Sequence, residues 1–166
     1  FDMPPGGRYI DIDRSDSSEP IKDIFQRVHK GVNKTLRKNP ERSEDTAWLK
    51  SGSKYCGELF LGHLRYGTFG KNGVESCHPF LRENNWMSKC LALAGNFNMT
   101  NVDEMFEQLI SEGQHPRDYA DTFVMLESLG HYLDREVQYQ YDKIEKSDLN
   151  GQQVSHRIEE KLDIPF

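Results

Sequence analysis

The chain has 166 residues, 36 % of them hydrophobic and 29 % charged, with a formal net charge of −6, which is one domain's worth of globular polypeptide able to bury a core. No run approaches the ~18–20 apolar residues of a membrane span, and no Lys/Arg cluster exceeds two or three residues, so neither a membrane nor nucleic acid is an expected partner. Cys56, Cys77 and Cys90 are odd in number and lack Cys-x-x-Cys spacing, which indicates neither a disulfide framework nor a zinc knuckle and suits reduced thiols in a cytoplasmic protein.

In chain order, residues 9–13 read as one short strand between turn-rich flanks. Pro20 suits the first position of a helix, and Ile21, Ile24, Phe25, Val28, Val32 and Leu36 follow at three- and four-residue steps. That spacing predicts an amphipathic helix to about Arg37, stopped by Asn39-Pro40. Residues 41–55 are polar and read as loop, with one helical turn around 46–50. The stretch 57–101 then holds two apolar runs, 58–66 and 89–98, each leading into a polar, glycine-bearing turn. The first alternates as a strand does and ends on a cation, Arg65. The second is small and apolar through Gly95, as in a strand covered on both faces, and delivers Asn96, Asn98, Thr100 and Asn101 in quick succession. Amides and free N–H groups at a strand's end are what a developing negative charge needs; a hairpin edge with ordinary turn residues fits the spacing equally well.

Asn101 and Glu104 have the spacing of a capping box, opening a helix with Val102, Met105, Phe106, Leu109 and Ile110 inward and Gly113 as its stop. A further helix begins near 119–121, with Phe123, Leu126, Leu129, Leu133 and Val137 as its stripe and 139–146 as its continuation. Gly130 inside it costs roughly 1 kcal/mol against alanine. A last helix, 151–162, carries Val154, Ile158 and Leu162 on one face.

Four segments in order resemble a known family. GHLRYGT at 62–68 is similar to the Gly-His-x-Arg-aromatic-x-Thr segment of class II glutamine amidotransferases. CHPFL at 77–81 resembles their Ala-His-Pro segment, and AGNFNMTN at 94–101 resembles their His-Asn-Gly-Asn-Leu-Thr-Asn. TNVDE, a helix, and YADTFVMLE at 119–127 resemble the family's second-helix opening. The amidophosphoribosyltransferase branch is the nearest in pattern. The resemblance implies an α+β fold, part of an N-terminal nucleophile hydrolase four-layer α/β/β/α sandwich. Residues 1–55 would be a helical insertion with a polar linker, and 56–166 a partial glutaminase domain.

On that resemblance, glutamine is the substrate and each candidate residue acquires a role. Arg65 would grip its α-carboxylate with a planar two-pronged guanidinium; read without the family, it is a salt-bridged surface cation. Asp121 would meet the α-ammonium, and could also cap its helix. Asn96 would hold the tetrahedral oxyanion with its side chain, and Phe97 with its backbone N–H. Thr68 and His78 would line the pocket. His63 reads as a residue satisfied in the core, and Trp86, Phe80 and Phe69 as core or rim aromatics. The family has glycine where Phe97 stands and histidine where Gly95 stands, so the oxyanion loop departs from its pattern twice.

The family's nucleophile is an N-terminal cysteine whose own amino group is the base. Position 1 here is Phe1, and neither Cys56 nor Cys77 has the surroundings that activate a thiol. The chain opens Phe-Asp-Met-Pro-Pro and closes Asp-Ile-Pro-Phe, and the expectation is a fragment of a longer protein, inactive alone. Its parent would release ammonia from glutamine for transfer to phosphoribosyl pyrophosphate, in purine biosynthesis. No cofactor is expected in this chain, although the parent would use Mg with phosphoribosyl pyrophosphate. Partners are the remainder of the parent chain and, compatibly, a second copy in a homo-oligomer. Two other readings stay open: a glutaminase serving a glucosamine-phosphate or asparagine-synthase type acceptor, and a non-catalytic glutamine-binding or interaction module.

Overall fold

Proline at a helix's first position loses nothing, because its missing N–H would be unpaired there anyway, and Pro20 does open α1 (Pro20–Lys38). The computed structural model describes residues 10–57, 59–64, 73–74, 77–144 and 149–162. They form an α+β chain of helices and one small antiparallel sheet, in two compact units, Phe1–Pro79 and Phe80–Phe166.

In the first unit α1 is followed by a 3-10 turn, Pro40–Arg42, and by α2 (Thr46–Gly52). Asp45 caps α2 by accepting the Trp48 N–H at 2.9 Å. Residues 10–13, expected in a strand, pair with no strand. Their polar groups serve as anchors instead. Asp11 accepts the Tyr55 N–H and Ile12 the Tyr55 hydroxyl, at 3.0 and 2.8 Å. Asp13 holds Arg27 of α1, and the Arg14 guanidinium donates to the carbonyls of Cys77 and Pro79 at 2.9 and 2.8 Å. Residues 11–14 thus tie together segments up to 65 positions apart.

The expected strand 58–66 is not formed across its described part. Residues 59–64 are unpaired, and Leu59, Phe60, Leu61 and Leu64 all lie in solvent, Leu59 at 86 % exposure. His63, read as satisfied in the core, instead buries an Nδ1 without a hydrogen-bond partner.

The second unit is built on α4 (Asp121–Lys143), longer than any other described helix. Strands β1 (Phe80–Arg82) and β2 (Leu91–Leu93) pair antiparallel, Phe80 opposite Leu93 and Arg82 opposite Leu91, and both pack on α4. The predicted strand 89–98 is therefore three residues long. A 3-10 turn, Met87–Lys89, precedes it, and irregular backbone takes over from Ala94. The connection between the strands is held by Cys90, whose sulfur takes the Asn84 N–H at 3.3 Å and faces the carbonyls of Asn84 and Trp86. Burial pushes that thiol's pKa up.

Asn101 does precede α3 (Val102–Ser111), but its side chain makes no cap and the expected box with Glu104 does not form. The box forms on α5 (Gly151–Lys161) instead, where Asn150 accepts the Gln153 N–H and the Gln153 side chain answers the Asn150 N–H. Gly113 ends α3 as predicted. Its φ of +81° lets its N–H reach the Ile110 carbonyl while Gln114 reaches Leu109, a left-handed stop that suits glycine. On α4 the buried positions are Thr122, Val124, Leu126, Gly130 and Val137, while Leu129 faces out at 45 % exposure. Ile110 of α3 is likewise exposed. Val137, Ile144, Val154 and Ile158 form the buried core between α4 and α5, with Trp86, Leu133 and Leu162 against it.

Candidate functional site

Gly130 explains itself through Arg82. A Cβ at position 130 would meet the Cδ and Nε of Arg82, with Cζ at 2.8 Å. The missing methyl is the channel through which the arginine crosses the helix. Its guanidinium then lies between Glu127 and Asp134, one turn to either side of Gly130, taking Asp134 through two bonds at 2.6 and 3.3 Å and Glu127 at 3.3 Å. The hydrogen bond to Asp134 raises the Arg82 pKa, against the opposing effect of burial. Arg82 therefore staples the sheet to α4. Expectation had put the important strand-end cation at Arg65, which lies outside the described residues, as do Thr68 and Phe69.

The staple fixes where the candidate loop begins. β2 ends at Leu93, opposite Phe80, and Phe80 is buried with its ring edge-on to Phe123 of α4, centroids 5.9 Å apart. Asn96 and Phe97 follow Leu93 by three and four residues, and Asp121 opens α4 two residues before Phe123. The two segments leave one packed junction. Ala120 occupies the cap position, so Asp121 is the first helical residue. It is half-buried and accepts the Thr122 N–H and hydroxyl through Oδ1 at 2.7 and 3.3 Å. Its Oδ2 takes no hydrogen bond among the described residues. A carboxylate at a helix N-terminus is favoured by the dipole and by nearby N–H groups, and this one keeps an oxygen for a cation.

The two departures in the loop are one feature. The Phe97 ring lies where a side chain on Gly95 would begin: a Cβ there would sit within the ring, 2.6 Å from Cδ1 and 2.9 Å from Cζ. Bulk at position 97 thus requires none at position 95, the reverse of the family pattern. The inversion of large and small two residues apart was legible in the sequence; that one ring fills both places was not. Asn96, between them, is exposed and makes no hydrogen bond among the described residues, and Phe97 is 37 % exposed. The loop presents the Asn96 amide to solvent with its flanking ring folded back.

His78 belongs to the first unit. It is half-buried, with its ring against that of His63 at 4.6 Å and 31°. Cys77 beside it turns its sulfur to the Gly73 carbonyl at 3.8 Å. Among the described residues no group of three His, Cys, Asp or Glu could hold a metal ion. No described helix is long and apolar enough to cross a membrane.

Comparison with known proteins gives one consistent result. The chain is 36 % identical over 84 residues, 48 % of its length, to the amidophosphoribosyltransferase of Bacillus subtilis. It is 33 % identical over 89 residues to that of Methanocaldococcus jannaschii, and 33 % identical over 79 residues to that of Drosophila melanogaster, 54 % and 48 % of this chain. It spans 17 %, 18 % and 14 % of those proteins' own lengths. No family model and no solved structure matches it. Half of this chain is thus related in sequence to amidophosphoribosyltransferases of bacterial, archaeal and animal origin.

Proposed function

We propose that this chain is part of the glutaminase domain of an amidophosphoribosyltransferase-like enzyme, with 56–166 as partial catalytic domain and 1–55 as an insertion. The observation that carries the reading is the similarity to several amidophosphoribosyltransferases over about half the chain. The complete domain would be a four-layer α/β/β/α sandwich of the N-terminal nucleophile type, working in the cytoplasm. Arg65 and Asp121 would read the two charged ends of glutamine, with Thr68 and His78 along the pocket. A thiolate supplied from outside the described residues would attack the side-chain amide carbon. The oxygen would take up negative charge as the tetrahedral intermediate forms, and the Asn96 amide and Phe97 N–H would receive it. The amino group of the residue that supplies the thiolate, having taken the thiol proton, would return it to the amide nitrogen so that ammonia leaves, and water would release glutamate from the thioester and restore the thiol. Transfer of that ammonia to phosphoribosyl pyrophosphate would be the work of a separate domain.

Two features support the site assignment. Asn96 and Asp121 hang from one packed junction, and Asp121 keeps an oxygen uncommitted. Cys90 has its pKa raised by burial, the opposite of activation for a nucleophilic thiol. Incubating the 166-residue chain with glutamine should therefore give no glutamate above buffer, and turnover abolished by alkylation of the chain's cysteines would sink this reading. A second reading is favoured by the Phe97 ring folded onto Gly95: a non-catalytic glutamine-binding module that keeps the grip and has lost the oxyanion geometry. Transfer to a glucosamine-phosphate or asparagine-synthase type acceptor would keep the glutaminase and change only the domain beyond it.

A further inference from the structure

The glutaminase reading makes no use of α1, and α1 has the construction of a helix with a missing surface. Ile21, Ile24, Phe25, Val28, Val32 and Leu36 run along one side for the whole of its length, about 28 Å at 1.5 Å per residue. None of them is fully buried: Ile21 and Phe25 are 53 % and 60 % exposed, and Ile24, Val28, Val32 and Leu36 are half-buried. The rest of its surface carries six cations, Lys22, Arg27, Lys30, Lys34, Arg37 and Lys38, against the single carboxylate of Asp23, in a chain whose net charge is −6. Lys30, Lys34 and Lys38 stand in one row at four-residue steps. With Arg37 they make no ion pair among the described residues. The acidic residues near the helix are largely engaged: Asp13 and Asp23 hold Arg27, Glu19 holds Lys22, Asp11 holds Tyr55 and Asp45 caps α2.

We propose that α1 lies flat on an anionic lipid surface, its apolar stripe at the acyl boundary and its lysine and arginine heads among the phosphates. A polar helix with a continuous apolar side and a cation-rich opposite side is the form that partitions to such an interface. Long lysine and arginine stems reach the headgroups from a helix whose axis sits lower. Two other occupants fit less well. A second copy of α1 would set cation against cation along both flanks. A protein groove takes a few bulky anchors, whereas this stripe is mostly aliphatic, Ile21, Ile24, Val28, Val32 and Leu36 spread evenly, with Phe25 its one aromatic. The expectation of no membrane partner came from the absence of a spanning segment, and surface binding needs none.

The test uses the whole 166-residue chain in co-sedimentation with two kinds of vesicle, pure phosphatidylcholine and phosphatidylcholine with about 30 % phosphatidylserine. Each cation at an anionic surface gives about fivefold in affinity, so Lys30, Lys34, Arg37 and Lys38 together should favour the anionic vesicles by several hundred-fold, on the order of 5^4. Binding should weaken with added salt. Phe25→Asp and Lys30→Gln/Lys34→Gln each alter exposed positions, so far-UV circular dichroism should be unchanged while binding falls at least tenfold. Equal or absent sedimentation with both vesicles overturns the proposal. So does binding that ignores Phe25→Asp, which would mark a charge contact alone. Light scattering that shows Phe25→Asp turning a dimer into a monomer would assign the stripe to a second copy instead.

Discussion

The Phe97 ring over Gly95 makes a quantitative prediction about how two positions share one volume. Gly95→Ala places a methyl inside the ring, and the ring is the movable partner because it can rotate about χ1. Full burial of a phenylalanine side chain contributes about 1.5–3 kcal/mol, and Phe97 is 37 % exposed, so swinging it into solvent forfeits about 1–2 kcal/mol. Gly95 does not sit at positive φ, so alanine incurs no strain and should return about 0.4–1 kcal/mol by restricting the unfolded chain. Gly95→Ala should therefore destabilise by about 0.5–1.5 kcal/mol alone. In a Phe97→Gly background the same substitution should stabilise by about 0.5 kcal/mol, a coupling of about 1–2 kcal/mol. Urea unfolding of the four combinations measures it. Additive effects, within about 0.3 kcal/mol, would refute the shared volume. In the glutaminase parent the cycle also separates the two readings of function. Phe97→Gly should leave turnover within a few-fold if the residue lends only its N–H, and a hundredfold rise would favour the non-catalytic module.

Gly130→Ala should destabilise by about 1–2 kcal/mol, although alanine in a helix interior normally gains about 1 kcal/mol, because it evicts the Arg82 guanidinium from Asp134 and Glu127. In an Arg82→Ala background Gly130→Ala should recover that gain, and a stabilising single substitution in thermal unfolding would disprove the staple. Cys90, whose folded-state pKa lies above its ordinary 9.0, favours the neutral thiol. Its stability contribution is complete below pH 9 and is lost as pH rises through the folded value. Iodoacetamide at pH 8 should accordingly modify Cys90 last, and Cys90→Ala should flatten the fall in stability above pH 9. For the substrate grip, Arg65→Ala and Asp121→Ala should each weaken glutamine binding sharply in titration calorimetry on a nucleophile-dead parent. Asn96→Ala should spare binding and cost on the order of 100- to 1000-fold in turnover; unchanged values in all three would remove the pocket from this stretch.

Helices were legible where periodicity and punctuation agreed. Pro20, Gly113 and the Val154/Ile158 pair each did locally what their chemistry dictates. Strands were overcalled because an apolar run signals burial and not pairing. Residues 59–64 have the composition of a strand with no neighbour to accept it, and β2 keeps only the three residues that find Phe80, Leu81 and Arg82. The asparagine cap went to Asn150, not Asn101, although both have a polar partner three residues on, since a cap also requires backbone angles that no sequence pattern states. At the candidate site the residue types were readable, and the junction that suspends them was not. It depends on Arg82 reaching across 45 and 52 positions to Glu127 and Asp134, a contact without local trace.

The glycine under Arg82 also constrains how this chain can change. While the arginine lies there, position 130 is closed to every residue with a side chain, including those that would improve the helix. The arginine can be lost first, leaving Asp134 with Lys89 at 3.9 Å as its remaining cation, and only then can the glycine be replaced. The reverse order passes through a protein whose arginine has been displaced from Asp134 and Glu127, leaving the sheet held to α4 by packing such as Phe80 on Phe123. Substitutions at 82 and 130 are thus ordered in time. A descendant with alanine at 130 should have given up arginine at 82 before it.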